Sequence, residues 1–204
     1  MTHRPSLSVL IPATPRRIVS CLCPLLSILE AQIARLDQPR KVEILTFLDN
    51  RMRTIGEKRD ALVQMSRGEF VAFCDDDDLV SDDYLQLLTD TIDVATPRTS
   101  VITFDQLAVV NGVEAICSFS LKHPNEPFKQ PSFKRSAWHV CVWRGDMARR
   151  VRFPSANYGE DWNWAKHLVM DATGEIHISK VLHTYRYNDQ VSEAPPPSTT
   201  ICQT

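Results

Sequence analysis

Alternation of short apolar runs with helical segments restricts the fold of the first 95 residues more than any other feature of the chain. The apolar runs are rich in β-branched residues, and the segments between them repeat apolar side chains at helical spacing. The predicted strands cover 6–11, 42–48 and 69–74, and the predicted helices cover 17–36, 55–65 and 81–95. This order predicts an α/β fold with a mostly parallel sheet, right-handed crossovers and flanking helices.

Proline-rich or acidic segments follow each of the three predicted strands. Residues 12–15 follow the first strand, which Pro12 is expected to end, and Asp49 and Asn50 follow the second. Four aspartates at positions 75–78, here called the acidic loop, follow the third. Ligands of such sheets bind at the carboxyl ends of the strands. We therefore expect the three segments to meet in one crevice.

The second half of the chain has a different pattern. Two apolar runs, 101–109 and 113–121, flank Asn111-Gly112 and predict a β-hairpin. The later segments are predicted as a loop at 123–136, strands at 138–143 and 176–187, and helices at 145–150 and 160–170. We expect a nucleotide-binding half at 1–98, a smaller mixed half of the same domain at 99–193, and a disordered tail at 194–204.

Composition excludes several classes of protein. The net charge of −2 and the pI near 6.3 argue against a surface that binds nucleic acid throughout. The six cysteines form no C-x-x-C pair, so buried reduced thiols are expected rather than a zinc site. No run approaches the ~20 apolar residues of a spanning helix, and the first apolar run is too short for a signal peptide. We expect a cytoplasmic protein with no membrane span.

The acidic loop is the first segment that predicts chemistry. Carboxylate oxygens suit Mg²⁺ or Mn²⁺, and substrate phosphates commonly complete the coordination of these ions. Adjacent carboxylates also raise one another's pKa unless a cation is present. The alternative is a solvated acidic turn that caps the next helix. The position directly after the third strand favours a metal site.

A second acidic motif, Gly159-Glu160-Asp161-Trp162, stands at the start of a predicted helix. The helix dipole favours a charged carboxylate there. Trp162 and Trp164 would offer a stacking wall for a sugar ring, and Trp138 is a further candidate for contact with an acceptor. The alternative is an ordinary acidic helix start.

In this order the motifs SVLIPATP, EILTFLDN, KRDALVQMSRGEFVAFCDDDDLVSDDYL and YGEDWNW resemble those of family 2 glycosyltransferases. The resemblance covers residues 6 to about 190. It implies a GT-A-type, Rossmann-like fold and an inverting transfer of sugar from a nucleotide-sugar, here a UDP-sugar. It also implies Mn²⁺ or Mg²⁺ as the cofactor. The Asn and Gly of the family's Ala-Arg-Asn-x-Gly stretch are Asp60 and Leu62 here.

The resemblance assigns donor-binding roles residue by residue. Pro12, Thr14 and Pro15 would line the base and ribose, Asp49 would bond to the uracil ring, and Arg59 would lie near the base and diphosphate. In the metal motif, Asp77 would bind the cation directly and Asp75 would lie nearer the ribose or a metal-bound water. Asp76 and Asp78 would assist them.

The resemblance also assigns the catalytic half. Asp161 would take the proton of the acceptor hydroxyl, and Glu160 would position the acceptor. His183 matches a late histidine that joins the metal shell, although a histidine on an apolar strand is more often structural. Arg186 would contact the diphosphate or pair with a surface carboxylate.

Other functions remain open from the sequence. A nucleotidyltransferase would show a glycine-rich loop after the first strand, and IPATPRRIVS has no glycine. A binding protein of the same fold would lack turnover, and the presence of both Asp77 and Asp161 argues against it. The expected acceptor is a glycan precursor. The minority hypothesis is a hydroxylated DNA base, approached by basic residues that are alternatively surface ion pairs; they are Lys129, Lys134, Arg135, Arg144, Arg149, Arg150 and Arg152.

Overall fold

A computed structural model describes residues 4–187. The strands are β1 (Leu7–Ala13), β2 (Val42–Leu48), β3 (Phe70–Phe73), β4 (Leu79–Val80), β5 (Val101–Val110), β6 (Val113–Phe119), β7 (Ser132–Arg135), β8 (Val142–Arg144) and β9 (Glu175–Tyr187). The α-helices are α1 (Cys23–Ile33), α2 (Ile55–Met65), α3 (Tyr84–Asp93), α4 (Gly145–Arg150) and α5 (Glu160–Asp171). The predicted tail, and the last residues assigned to the second half, lie outside the described residues.

The sheet is mixed rather than mostly parallel. Its main path runs β2-β1-β3-β8-β5-β6-β7, and β9 pairs with β4 and β5. The parallel arrangement of β1, β2 and β3 confirms the prediction for the first half. In the second half β8 runs antiparallel to both β3 and β5, and β5 and β6 form the predicted hairpin. Its two-residue turn, with positive φ at Asn111 and Gly112, forces the antiparallel pairing.

The loops after β1, β2 and β3 lie at one edge of the sheet, as predicted. Pro12 does not end β1, because it lies inside the strand, opposite Phe47 of β2. The pairing of β1 with β3 ends at Leu10, so only β2 flanks the last part of β1. A proline without an N–H donor is tolerated in such an edge position.

The segment between β1 and α1 consists of two irregular helical turns. A 3₁₀ turn (Pro15–Arg17) and a π-helical turn (Ile18–Leu22) precede α1. Helix α1 then begins at Cys23 with Pro24 in its first turn, where a missing N–H leaves no hydrogen bond unmade. The proline therefore marks the start of the helix, which begins later than the predicted residue 17. The turns before it direct Arg17 toward the acidic loop.

Both faces of the central strands are buried. On one face, side chains such as Val9 and Ile11 pack with α1 and α3. On the other face, Leu10 and Phe73 pack with α2, α4 and α5. The ring of Phe73 meets Trp164 of α5 edge-on at 5.8 Å between centroids. This packing holds the start of α5 against the end of β3.

Two short strands depart from the sequence prediction. Strand β4 lies where the loop was expected to lead directly into a helix, and its Val80 pairs with His183 of β9. Because the Ser81 N–H donates to the Leu182 carbonyl, α3 begins later, at Tyr84, than predicted. Strand β7 lies within the predicted loop 123–136 and pairs in parallel with β6. Both strands depend on distant partners, which local composition does not reveal.

The five cysteines within the described residues are free. Cys74, Cys117 and Cys141 are buried as expected, whereas Cys23 is exposed. Across residues 4–187, every helix is too short or too polar to cross a membrane.

Candidate active site

Asp76 ties the acidic loop to the segment after β1. Its Oδ2 accepts a hydrogen bond from the Thr14 N–H at 2.9 Å, and its Oδ1 accepts one from Arg17 Nη1 at 2.9 Å. The side chain is only 2% exposed. Burial raises the pKa of Asp76, and the hydrogen bonds from Thr14 and Arg17 oppose this shift. Asp76 therefore holds two loops together, and its contacts place it beside the predicted donor-binding residue Thr14.

Asp77, like Asp75, is a partly exposed carboxylate of the acidic loop. Its side chain is 30% exposed, and Arg17 Nη1 lies 2.8 Å from Oδ2. Burial and the charge of Asp78 raise the pKa of Asp77 to about 7, although Arg17 opposes the shift. The backbone carbonyl of Asp77 accepts hydrogen bonds from Arg186 Nε at 3.2 Å and Nη2 at 2.8 Å. Arg186 therefore lies at the acidic loop, as one of its two predicted roles requires.

Asp78 and His183 form a buried pair. His183 Nε2 lies 3.3 Å from Asp78 Oδ2, and the Gln106 amide nitrogen lies 2.9 Å from His183 Nδ1. Burial raises the pKa of Asp78, and His183 opposes the shift. The pairing of β4 with β9 brings His183 to the loop, where the resemblance expects a late histidine. Its carboxylate partner is Asp78 rather than Asp77.

Arg59 links the acidic loop to the start of α5. Its Nη2 donates to Asp75 Oδ2 at 2.8 Å, and its Nε donates to Glu160 Oε1 at 3.2 Å. The guanidinium lies 5.1 Å from the centroid of Phe73, and the side chain is about 4% exposed. Burial would raise the pKa of Asp75, but Arg59, His139 and His183 together lower it. Burial raises the pKa of Glu160, and Arg59 opposes that shift.

This buried pair involves two residues for which the sequence predicted contacts with substrate. Arg59 was expected to reach the base and diphosphate, and Glu160 was expected to position acceptor hydroxyls. Both side chains instead bond to one another, with each residue at most 4% exposed. A buried guanidinium needs carboxylate partners, and a buried carboxylate needs donors. In this arrangement the two residues fix the positions of Asp75 and of the first turn of α5.

Asp161 stands beside this pair with its carboxylate held by two N–H donors. The Trp138 indole Nε1 donates to Oδ2 at 3.1 Å, and the Trp162 backbone N–H donates to Oδ1 at 2.7 Å. The carboxylate remains 25% exposed. Gly159, at φ 74°, makes the turn that leads into the helix. Asp161 therefore has a defined orientation and access to solvent.

The tryptophans divide into two groups. Trp138 and Trp162 stack at 5.1 Å with an interplanar angle of 19°, next to Asp161. Trp164 is fully buried, stacks on Phe153 at 4.7 Å and donates to the Val151 carbonyl. Its predicted contact with an acceptor is therefore wrong. Residues two apart on an α-helix point about 200° apart, so Trp162 and Trp164 cannot form one wall.

Asp49 accepts hydrogen bonds that stabilise the loop after β2. Lys58 Nζ lies 2.5 Å from Asp49 Oδ1, and the backbone N–H groups of Arg51 and Arg53 donate to the same carboxylate. The hydrogen bond from Lys58 is the largest factor that lowers the pKa of Asp49. Lys58 also donates to the Ala13 carbonyl at 3.0 Å. The ends of β1 and β2 are thus joined at the side of the crevice where the base was predicted.

The remaining predicted donor residues line the end of β1. Pro12 is buried within the strand, and Pro15 begins the exposed 3₁₀ turn. Thr14 Oγ1 is buried without a hydrogen-bond partner in the described part of the chain.

Three residues of the site escaped the sequence prediction. Arg17 bonds to the acidic loop, and Lys58 joins two strand ends. His139 is buried next to Asp161, with its Nδ1 3.4 Å from Asp161 Oδ2. Burial and the nearby charge of Arg59 lower the pKa of His139 to about 4. A basic side chain within a helix or loop carries no signal of the tertiary contact that gives it a role.

The donor chemistry of the acidic loop suits a hard divalent cation. Asp77 offers a partly exposed carboxylate, and Asp75 Oδ1 is buried without a hydrogen-bond partner between residues 4 and 187. In that same range no group of three or more His, Cys, Asp or Glu side chains is arranged to hold a metal ion. Ligand atoms from outside the chain would have to complete the coordination.

Most of the predicted basic patch is used within the protein. Five of its seven side chains bond to neighbouring residues: Lys129 to Glu126, Arg144 to Glu69, Arg149 to Ser66, Arg150 to Asp146 and Arg152 to Asp60. Arg135 lies over the rings of Phe133 and Trp138. These five side chains form surface ion pairs and hydrogen bonds within the protein. That alternative describes them better than a surface that is free to bind nucleic acid.

No family model matches the chain, and no curated protein matches its sequence. Its fold is similar to that of S. aureus TarS. The crystal structure of TarS 1–349 in complex with UDP-GlcNAc matches 93% of this chain at a TM-score of 0.63 and 18% identity, and the match covers 61% of the TarS chain. The complex of TarS 1–349 with UDP matches 88% of this chain at a TM-score of 0.61 and 17% identity, and covers 60% of TarS.

A longer TarS structure matches 88% of this chain at a TM-score of 0.58 and 16% identity, and the match covers 36% of that chain. The chain therefore spans less than two thirds of these TarS chains. At such identities the similarity shows a shared fold.

Proposed function

We propose that the chain is a glycosyltransferase that moves a sugar from a nucleotide-sugar to an acceptor hydroxyl. One observation carries the proposal: Arg59 joins Asp75 of the acidic loop to Glu160 at the start of α5. A site for the donor phosphates and a carboxylate base, Asp161, are thereby held in one place. Perturbed carboxylates in a shared crevice are typical of functional sites.

The similarity to TarS supports the choice of donor. TarS has been crystallised with UDP-GlcNAc and with UDP, and the matched part includes most of this chain. We extend the ligand class to this chain, so the donor is a UDP-sugar. The assignment to family 2, and to its GT-A fold, stays a prediction from the sequence motifs.

Mn²⁺ or Mg²⁺ fits the acidic loop as a cofactor. Asp77 and Asp75 would hold the ion, because both carboxylates are partly exposed and Asp75 Oδ1 has no hydrogen-bond partner among the described residues. Burial and the charges of the neighbouring aspartates raise the pKa of Asp77, so a cation would relieve repulsion within the loop. The diphosphate of the donor would supply the missing ligands, and the bound ion would stabilise the negative charge of the leaving group.

The catalytic step follows from the position of Asp161. The acceptor oxygen attacks the anomeric carbon as the bond from that carbon to the diphosphate oxygen breaks. Asp161 takes the hydroxyl proton in the same step, and attack from the face opposite the leaving group inverts the configuration. The N–H donors of Trp138 and Trp162 keep the carboxylate oriented for this transfer.

The acceptor is proposed to be a glycan precursor. The Trp138–Trp162 stack borders Asp161 and offers apolar ring surface to a sugar. Five of the seven basic residues proposed for a DNA acceptor bond to protein neighbours, and this disfavours a hydroxylated base. A binding protein without turnover would show the same donor contacts, and only an activity assay separates the two functions.

The test is a UDP-release assay with purified protein, Mn²⁺ and a panel of UDP-sugars, each with and without chelator. We expect slow release of UDP as the sugar is transferred to water. This release should be lost in Asp77→Ala and when the metal ion is chelated. Asp82→Ala, an exposed carboxylate outside the acidic loop, serves as the matched control and should keep wild-type release. UDP-sugar binding without release would favour a binding protein. Neither binding nor release would refute the proposal.

A further inference from the structure

His139 lies next to Asp161, the proposed catalytic base, and near the buried side chain of Arg59. Its side chain is about 9% exposed, and its Nδ1 lies 3.4 Å from Asp161 Oδ2. The imidazole packs against Phe73 at 6.2 Å between ring centroids, and Arg59 lies over the same ring at 5.1 Å. His139 therefore shares one aromatic support with Arg59 while it faces the carboxylate of Asp161.

Four buried polar atoms in this small region have no hydrogen-bond partner among the described residues. They are both ring nitrogens of His139, Nη1 of Arg59 and Oδ1 of Asp75. Buried polar groups are almost always paired, so the two unpartnered nitrogens of His139 require an explanation. Asp161 Oδ2, 3.4 Å from His139 Nδ1, is a carboxylate acceptor next to one of them.

We propose that His139 is a positioning residue for Asp161, to which its Nδ1–H donates. The inference rests on the proposed function, in which Asp161 accepts the proton of the acceptor. Oδ2 of Asp161 then receives two donors, the imidazole of His139 and the indole of Trp138. Oδ1 receives the backbone N–H of Trp162. Three donors on two oxygens fix the rotation of the carboxylate about its side-chain bonds.

The environment of His139 favours a neutral ring with one N–H. Burial and Arg59 disfavour a charged imidazolium, although Asp161 and Asp75 act in the opposite direction and His183 acts with Arg59. With the proton on Nδ1, the Nε2 atom is unprotonated. His139 thus faces Asp161 and shares the Phe73 ring with Arg59. The Nε2 atom is buried, so His139 itself does not contact an acceptor.

The tautomer of His139 tests the inference without any substrate. In ¹⁵N-histidine-labelled protein, long-range proton–nitrogen correlation spectra distinguish Nδ1–H from Nε2–H, and His139→Asn identifies the signal. We expect the Nδ1–H form and a clear nitrogen shift on Asp161→Ala. The exposed His167→Asn should leave the His139 signal unchanged. An Nε2–H tautomer, or no response to Asp161→Ala, would overturn the inference.

Substitutions that retain or remove one donor test the positioning role. The amide of His139→Asn places a donor near the position of Nδ1, whereas His139→Leu removes it. With UDP-GlcNAc and Mn²⁺ we expect kcat for UDP release to fall about tenfold to a hundredfold in His139→Leu. His139→Asn should recover most of the loss, and KM for the donor should stay the same in both.

The two experiments separate this inference from the proposed function. If the wild type releases no UDP from any donor, the proposed function fails and the tautomer still decides the inference. If the wild type is active and His139→Leu has the same kcat, the inference fails and the function stands. A loss in His139→Leu that His139→Asn does not recover would indicate a packing role and would also overturn the inference.

Discussion

Arg59, with a side chain about 4% exposed, donates from Nη2 to Asp75 Oδ2 across 2.8 Å, while the Asp75 side chain remains 29% exposed. The same guanidinium bonds to Glu160, so three parts of the chain that are distant in sequence meet at one buried cation. Removal of one partner of a buried ion pair leaves the other charges uncompensated. The stability of the fold and the geometry of the candidate site therefore depend on the same contact.

Arg59→Met is expected to lower the free energy of unfolding by about 3–5 kcal/mol, because Asp75 and Glu160 lose their shared partner. Urea unfolding monitored by tryptophan fluorescence measures the change. Arg150→Met removes an exposed arginine that pairs with Asp146, and should change stability by less than about 1 kcal/mol. The double variant Arg59→Met/Glu160→Gln should recover part of the loss. Equal effects of Arg59→Met and Arg150→Met would contradict the account.

Asp161→Asn is expected to reduce the rate of UDP release about 10²- to 10⁴-fold, because an amide cannot take the acceptor proton. The asparagine retains the size of the side chain and an acceptor oxygen for Trp138. The melting temperature and the affinity for UDP should therefore stay close to wild type. Asp171→Asn, at the exposed end of the same helix, provides the control. Wild-type turnover in Asp161→Asn would remove Asp161 from the mechanism.

Arg17→Ala is expected to make the fold more dependent on a divalent cation. One guanidinium nitrogen lies within 2.9 Å of both Asp76 and Asp77, so it offsets part of the charge of the acidic loop. We expect a loss of about 1–3 kcal/mol in the presence of chelator. Mn²⁺ should then raise the melting temperature more than it does in the wild type. The exposed neighbour Arg16 gives a matched variant, Arg16→Ala, in which the response to Mn²⁺ should not change.

Asp77 should link stability to pH. Its pKa rises from 3.8 to about 7 in the folded state, so the folded state binds more protons than the unfolded state between these values. The free energy of unfolding therefore falls as the pH rises, until Asp77 is ionised in both states. In chelator, the melting temperature of the wild type should fall more between about pH 6 and pH 8 than that of Asp77→Asn. Parallel curves for the two proteins would show that Asp77 is not perturbed.

Local pattern and turn chemistry predicted much of the fold. The alternation of the first 95 residues predicted three parallel strands and the convergence of their loops. Thr54 and Glu57 form a capping box that begins α2 at Ile55, and α2 has the bounds that its periodicity predicted. Asn111-Gly112 predicted the hairpin. In each case the determining residues lie within a few positions of the element that they define.

Features that depend on distant partners could not be predicted in this way. The two residues of β4 form a strand because β9 pairs with them, and β8 reverses the sheet between β3 and β5. The sequence did not distinguish the buried Trp164 from the partly exposed Trp162, because tertiary packing decides which face of α5 is buried. His139 and Arg17 are unremarkable in the sequence, and only tertiary packing places them beside Asp161 and Asp77. The motif residues come together in the fold as their order predicted, whereas the contacts around them depend on tertiary packing.

A crystal structure of the protein with UDP and Mn²⁺ tests the central claim most directly, because the anomalous signal of manganese locates the ion without reference to the protein model. The account predicts one strong manganese peak at Asp77. The diphosphate should lie at the acidic loop, and the side of the diphosphate that the protein leaves open should face Asp161. A manganese peak elsewhere, or UDP bound away from the ends of β1, β2 and β3, would contradict it.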